Sequence, residues 1–243
     1  MKFSALASGS TGNLYTLEDA ETRIIIECGL PYKQIQKLLP LPPTHYAACL
    51  ITHSHADHSY AAQELQRRGI PIHCSNATAE SIGLRRGWTE AGSEQIGTLQ
   101  IKTYEAQHDV PNLMFLIRST QDGETLLFAI DTYYIRENFH GITIWACECN
   151  YSKELLQDGD ALADRLYTSH MELRTLLSAL ASSDLSQCRE IHLLHISRDR
   201  GDPQAFARAT QEQTGIPVYA AQPITTRNHH DYQRIQRNIP HRQ

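Results

Sequence analysis

Basic residues are scarce: 22 Lys and Arg stand against 27 Asp and Glu, a formal net charge of −5 over 243 residues. That balance argues against a protein built to coat nucleic acid, while leaving room for one local basic groove. No apolar run approaches the roughly 18 residues needed to cross a bilayer. The opening Met1-Lys2-Phe3 shows no leader pattern. The six cysteines (Cys28, Cys49, Cys74, Cys147, Cys149, Cys188) contain no C-x-x-C pair. A cytoplasmic, reducing setting with free thiols and no membrane partner is the expectation. No repeat, linker or low-complexity stretch interrupts the chain, so residues 1–243 read as one domain with a polar tail over 227–243. Apolar residues at 41% supply a sizeable core, and charged residues at 20% do not suggest disorder.

Histidine is what the chain has in excess, with 13 copies. Their placement follows from the pattern of elements. Phe3–Leu6 reads as a strand entering the small, polar loop Ala7–Asn13. Leu14–Leu17 and Arg23–Cys28 read as a hairpin around Glu18-Asp19-Ala20-Glu21. Pro31–Leu39 has the form of a short helix. Ala47–Ile51 is a continuous apolar run, as in a strand buried on both faces, and Tyr60–Arg68 is a helix ending at Gly69. Ile70–Cys74 is the next strand and Ala77–Arg86 the next helix. Leu99–Tyr104, Met114–Arg118 and Thr125–Ile130 suggest a second sheet. Ile142–Cys149, Glu190–His195 and Ile216–Ala220 continue it, with helices over Leu173–Ser182 and Pro203–Thr214. Hairpins followed by β-α-β units, twice over, predict an α/β chain folded as a four-layer αββα sandwich.

Thr52-His53-Ser54-His55-Ala56-Asp57-His58 lies between a buried strand and a helix, where α/β proteins place their chemistry. Two apart in extended chain, His53 and His55 share one side and can bind one metal. Asp57 and His58, where the chain turns into the helix, can reach a second. Three imidazoles and a carboxylate in six residues make a poor solvent-facing cluster, because the rings repel when protonated.

This segment resembles the H-x-H-x-D-H signature of the metallo-β-lactamase superfamily, and further motifs follow in the same order. His108 in Glu105-Ala106-Gln107-His108-Asp109, Asp131 after Leu126–Ile130, and His195 after Ile191–Leu194 match the remaining ligand positions. The resemblance implies that His53, His55 and His108 hold one metal, that Asp57, His58 and His195 hold another, and that Asp131 bridges them. Nitrogen and oxygen ligands suit Zn²⁺ or Mn²⁺. His55 stands where redox di-iron relatives carry Glu, and Asp131 where true β-lactamases carry Cys. The resemblance therefore points to a phosphodiesterase, in which two divalent ions roughly 3.5–4 Å apart activate water and neutralise the phosphoryl charge.

Three shorter motifs narrow the branch. Ser8-Gly9-Ser10-Thr11-Gly12-Asn13 resembles the S-G-S-S-G-N loop of YycJ-type proteins. Ser169-His170-Met171 is similar to the histidine segment shared by that group, ribonuclease Z and phosphoribosyl cyclic phosphodiesterase. His195-Ile196-Ser197-Arg198-Asp199 resembles an H-L-S-R-E segment. They imply that His170 is a catalytic proton donor or phosphate ligand beside Asp57 and Asp131, and that Ser197 and Arg198 bind phosphate or cap the following segment. Glu27 stands where the superfamily has an Asp supporting the metal loop. Cys147-Glu148-Cys149-Asn150 reads as a buried strand end, not a metal clip. Only 64 positions separate Asp131 from His195, too few for an inserted nuclease domain, and no Gly/Pro-rich tRNA arm is present. Asp131–Tyr134, Glu148–Ser152 and Ser169–Met171 look like the phage anti-Pycsar phosphodiesterases. That likeness implies a homodimer in the host cytoplasm that cleaves 3′,5′-cyclic mononucleotides to 5′-monophosphates. A YycJ-like DNA exonuclease and a nucleotide-binding pseudoenzyme are the alternatives.

Overall fold

The computed structural model describes residues 1–84, 88–156 and 163–221. The tail over 227–243 lies outside them, as do Arg85 and Arg86 of the helix expected over Ala77–Arg86. One sheet runs β1 (Lys2–Ala7), β2 (Leu14–Glu18), β3 (Arg23–Ile26), β4 (Cys49–Leu50), β5 (Ile72–Cys74) and β6 (Trp88–Glu90) in chain order. The other is built of β7 (Glu94–Ile96), β8 (Leu99–Ala106), β9 (Asn112–Ser119), β10 (Thr125–Ala129), β11 (Ile144–Glu148), β12 (Glu190–Leu194) and β13 (Val218–Ala220). Each sheet is antiparallel at its first strands and parallel thereafter. The described helices are α1 (Tyr32–Leu38), α2 (Ala56–Ser59), α3 (Ala62–Arg67), α4 (Asn76–Ser81), α5 (Ala163–Ser169), α6 (Leu173–Ser182) and α7 (Pro203–Thr214).

Side-chain alternation builds the layers. In β3, Ile24 and Ile26 join Phe115, Ile117, Leu126 and Phe128 of the opposite sheet in one core. Ile25, between them, packs with Ile35 of α1 and Leu65 of α3 on the outer face. In β10, Leu126 and Phe128 face the inter-sheet core, whereas Leu127 and Ala129 pack with Leu176, Leu180 and Phe206 beneath α6 and α7. The runs of consecutive apolar residues are thus buried on both faces, each side chain contributing roughly 1.5–3 kcal/mol. The architecture is the expected αββα sandwich, the metallo-β-lactamase fold.

Several elements differ from the sequence reading. The helix expected over Tyr60–Arg68 is α3, which starts only at Ala62 behind the separate short helix α2, because the Ala61 N–H donates to the carbonyl of Cys28 (2.9 Å) and pulls the turn onto β3's exit loop. β4 is shorter than Ala47–Ile51, although the Ala47 N–H still donates to the Arg23 carbonyl and the Ile25 N–H to the Ala48 carbonyl. β6, β7 and α5 are short, and their sequences carry too little apolar alternation to announce them.

Candidate metal centre

The ligands expected from the sequence lie on loops leaving the strands along one edge of both sheets, except Asp57 and His58, which stand on the short helix α2. β4 runs into Thr52–His58, β8 into His108, β10 into Asp131 and β12 into His195. Among the described residues, the non-glycine positions with positive φ are Glu27 (63°), Asp131 (50°) and His195 (51°). Each stands one or two residues past a strand end and turns its side chain back across the site. Such backbone costs on the order of 1–3 kcal/mol and persists only where the surroundings enforce it.

Two donor groups form, with Asp131 in both. His53, His55, His108 and Asp131 have donor atoms within 4.8 Å of one another, and so do Asp57, His58, Asp131 and His195. Asp131 Oδ2 lies 3.5 Å from His53 Nε2, 3.1 Å from His58 Nε2 and 3.8 Å from His108 Nε2. Asp57 Oδ2 stands 3.3 Å from His58 Nε2 and 3.4 Å from His195 Nε2. Two divalent cations fit these groups. His53 Nε2 and Asp131 Oδ1 are buried without a hydrogen-bond partner, a costly state unless a cation meets them. The His53 ring centroid is 4.1 Å from that of His58 and 4.7 Å from that of His55, too close for three protonated rings. Burial, reinforced by His58, lowers the His53 pKa and leaves the ring in its neutral, ligating form. Burial also disfavours charge on His195, but Asp131, Asp57 and Glu148 overcome it and raise the pKa to about 10. Those carboxylates require positive charge between them, whether proton or metal.

A ring of outer groups orients these donors. Thr52 Oγ1 is 2.9 Å from His53 Nδ1, and the carbonyl of Ser169 lies 3.0 Å from His108 Nδ1. Asp109 Oδ1 is 3.4 Å from His55 Nε2. Glu27, fully buried, accepts from the Thr52 N–H (3.1 Å) and approaches His58 Nδ1 (3.5 Å), the supporting place expected for it. The Ser8–Asn13 loop closes the other side. Ser8 Oγ accepts from the His195 N–H (2.8 Å), and Asn13 Nδ2 donates to the Asp57 carbonyl (3.1 Å). Gly29 passes beneath this loop. A Cβ there would lie 1.6 Å from the Asp57 carbonyl oxygen, so no side chain fits.

His170 lies at the same edge, held by Glu148. Its Nδ1 is 2.7 Å from Glu148 Oε1, and Glu148 Oε2 accepts from the N–H groups of Thr132 (3.0 Å) and Met171 (3.2 Å). Asp131, Glu148, His170 and His195 form a third group of close donors. The 2.7 Å contact is nevertheless a direct hydrogen bond, since two ligands of one ion at roughly 2.0–2.2 Å stand farther apart. Burial lowers the His170 pKa, but the Glu148 carboxylate outweighs it and the net shift is upward. Ser197 Oγ accepts from the Arg200 N–H (3.3 Å) within its own turn, and Arg198 is exposed.

Sequence reasoning passed over Glu148, Asn150 and Asp109. Asn150 Nδ2 donates to the His195 carbonyl (2.7 Å). A signal for Glu148 was present: a lone carboxylate ending an apolar strand is expensive unless it is fully partnered. Beside His108 opens a cleft of about 490 Å³ lined by Ser75, Glu105, Gln107, Asp109, Leu113 and Tyr133 among others.

Among the described residues, no helix is long and apolar enough to cross a membrane. The exodeoxyribonuclease WalJ of Streptococcus pneumoniae is 26% identical over 222 residues, covering 82% of each chain. The exodeoxyribonuclease YycJ of Bacillus anthracis is 24% identical over 221 residues, covering 82% of this chain and 83% of that one. The metallo-beta-lactamase fold protein YhfI from Bacillus subtilis superposes with a TM-score of 0.70 at 17% identity, covering 92% of this chain and 97% of that chain. The sequence profile of the metallo-beta-lactamase superfamily matches residues 8–185. A match over that much of the chain, on the fold the profile describes, means that the protein belongs to the metallo-β-lactamase superfamily.

Proposed function

We propose that this hydrolase of phosphodiester type opens 3′,5′-cyclic mononucleotides to 5′-monophosphates, with His53, His55, His108 and Asp131 holding one divalent ion and Asp57, His58, Asp131 and His195 the other. Zn²⁺ and Mn²⁺ both suit these donors. Bound there, the ions supply Lewis acidity and an activated water for attack on phosphorus. The protein's own groups do the rest. Asp131 and Asp57 fix the charge balance of the centre. His170, its Nδ1 engaged by Glu148, presents Nε2 for proton delivery to the leaving 3′ oxygen. Ser197 and Arg198, shortly after His195 in the chain, are the side chains assigned to the phosphate oxygens in this reading.

The observation that carries a small substrate is the cleft beside His108. Its volume of about 490 Å³ suits one nucleotide, and its lining includes Glu105 and Asp109 but no Lys or Arg. A polyanion gains nothing from such a wall. The reading extends to a homodimer acting in the host cytoplasm, in the manner of the phage anti-Pycsar enzymes whose short motifs the chain resembles.

A second reading, a DNA exonuclease, is favoured by the two exodeoxyribonuclease relatives. The deciding experiment incubates one metal-loaded preparation with cyclic CMP, UMP, GMP and AMP and, in parallel, with end-labelled duplex DNA. Release of 5′-monophosphates from the cyclic nucleotides is expected. Nucleotide release from DNA ends, with every cyclic nucleotide intact, would replace the first reading with the second.

A further inference from the structure

We infer that the cleft beside His108 is a nucleobase subsite, in which Tyr133 offers a stacking face and the side-chain amide of Gln107 donates to a base carbonyl oxygen. The inference rests on the nucleotide reading above and adds a base preference to it.

Three observations support it. Tyr133 is 37% exposed although it stands two residues from buried Asp131, and it lines the cleft. Its main-chain N–H donates to the Gln107 carbonyl (3.1 Å), which fixes the two lining residues side by side. Gln107 Oε1 is 2.6 Å from an Arg136 guanidinium nitrogen. A guanidinium can only donate, so the oxygen of the amide is the atom it holds. The amide N–H groups are left for the cleft that Gln107 lines. A donor beside an aromatic ring recognises uracil, cytosine or guanine, each of which carries a carbonyl oxygen; adenine carries none. Glu105 and Asp109 make the cleft hospitable to a neutral base and hostile to a phosphate. The cleft therefore receives the base, while the phosphate stays over the metal centre.

The test compares wild type with Gln107→Glu, Tyr133→Ala and Tyr133→Phe, all metal-loaded. Substrates are cyclic UMP, cyclic AMP and bis(p-nitrophenyl) phosphate, a diester without a base. UMP and AMP are also titrated as inhibitors of bis(p-nitrophenyl) phosphate hydrolysis. Gln107→Glu, which replaces donor by acceptor, is expected to raise KM for cyclic UMP about tenfold and to shift preference toward adenine. Tyr133→Ala is expected to raise KM for both cyclic nucleotides about tenfold, with Tyr133→Phe near wild type. Turnover of bis(p-nitrophenyl) phosphate should not change. An unaltered ranking of bases in Gln107→Glu, or a parallel loss on the base-free diester, would overturn the subsite. If no cyclic nucleotide is turned over, the substrate reading fails by itself. The ratio of UMP to AMP inhibition, wild type against Gln107→Glu, then decides the subsite independently.

Discussion

Glu148 and His170 form a carboxylate–imidazole pair at the floor of the site, with Oε1 and Nδ1 2.7 Å apart and Glu148 wholly buried. Two main-chain N–H groups also bind the carboxylate, so the pair has one available geometry. If His170 delivers a proton to the leaving oxygen, its loss must depend on how much that oxygen needs one. His170→Ala should slow a cyclic nucleotide about 100-fold or more, yet barely affect bis(p-nitrophenyl) phosphate, whose nitrophenolate leaves unaided. Equal loss on both substrates would assign His170 a purely structural part. Glu148→Gln should follow the same pattern more weakly.

Asp131 belongs to both donor groups, so its removal should empty both. Asp131→Ala is expected to carry well under one metal per chain by elemental analysis. Outer groups usually cost about 10–100-fold in metal affinity, and Glu27→Ala should lie in that range with the fold intact by circular dichroism. Full double occupancy in Asp131→Ala would contradict the bridging role.

Gly29 touches the Asp57 carbonyl through space that a methyl group would fill. Gly29→Ala must displace the turn that carries Asp57 and His58. The expected result is loss of the second metal and destabilisation of about 1–3 kcal/mol in urea unfolding. Gly92→Ala, with nothing within 4 Å of the new carbon, is the matched control and should behave as wild type.

Far from the site, Asp19 accepts from Thr98 Oγ1, Ser119 Oγ and the N–H groups of Glu21 and Thr22. Burial pushes its pKa upward, but these donors, Thr98 foremost, prevail and bring it down to about 2. A depressed carboxyl stabilises the fold at every pH above its unfolded value of about 3.9, and that contribution disappears as pH falls through the folded value. Wild type should therefore exceed Asp19→Asn by on the order of 2 kcal/mol at pH 7. The difference should shrink between pH 4 and pH 2, as read from paired urea denaturation curves. A constant difference across that range would refute the assignment.

Much of this is legible in the sequence. The apolar run Ala47–Ile51 announced a strand buried on both faces, Arg23–Cys28 and Thr125–Ile130 announced strands, and the helices Leu173–Ser182 and Pro203–Thr214 fall on their expected bounds. The histidine motif, with His108, Asp131 and His195 in order, marked residues that the fold brings within one cluster. What remained hidden depends on distant partners. Glu148 looks like a misplaced charge until Thr132, Met171 and His170 converge on it. Ser8 looks like loop filler until the main chain of His195 reaches it. The break between α2 and α3 depends on a carbonyl supplied by Cys28, more than thirty positions earlier. Local pattern reports the faces of elements; it cannot report which loops meet at their ends.

The three left-handed residues have a wider consequence. Glu27 follows a strand of one sheet, and Asp131 and His195 follow strands of the other, so the proposed ligands and their support converge on the seam between two stacked layers. The centre then works as a gauge of how well those layers are docked. A cavity cut deep in the shared core, by Phe128→Ala for instance, touches no ligand. It should nevertheless register first as weakened metal retention under mild chelator, before any loss of secondary structure, because a small slip between the layers separates donors that belong to different sheets.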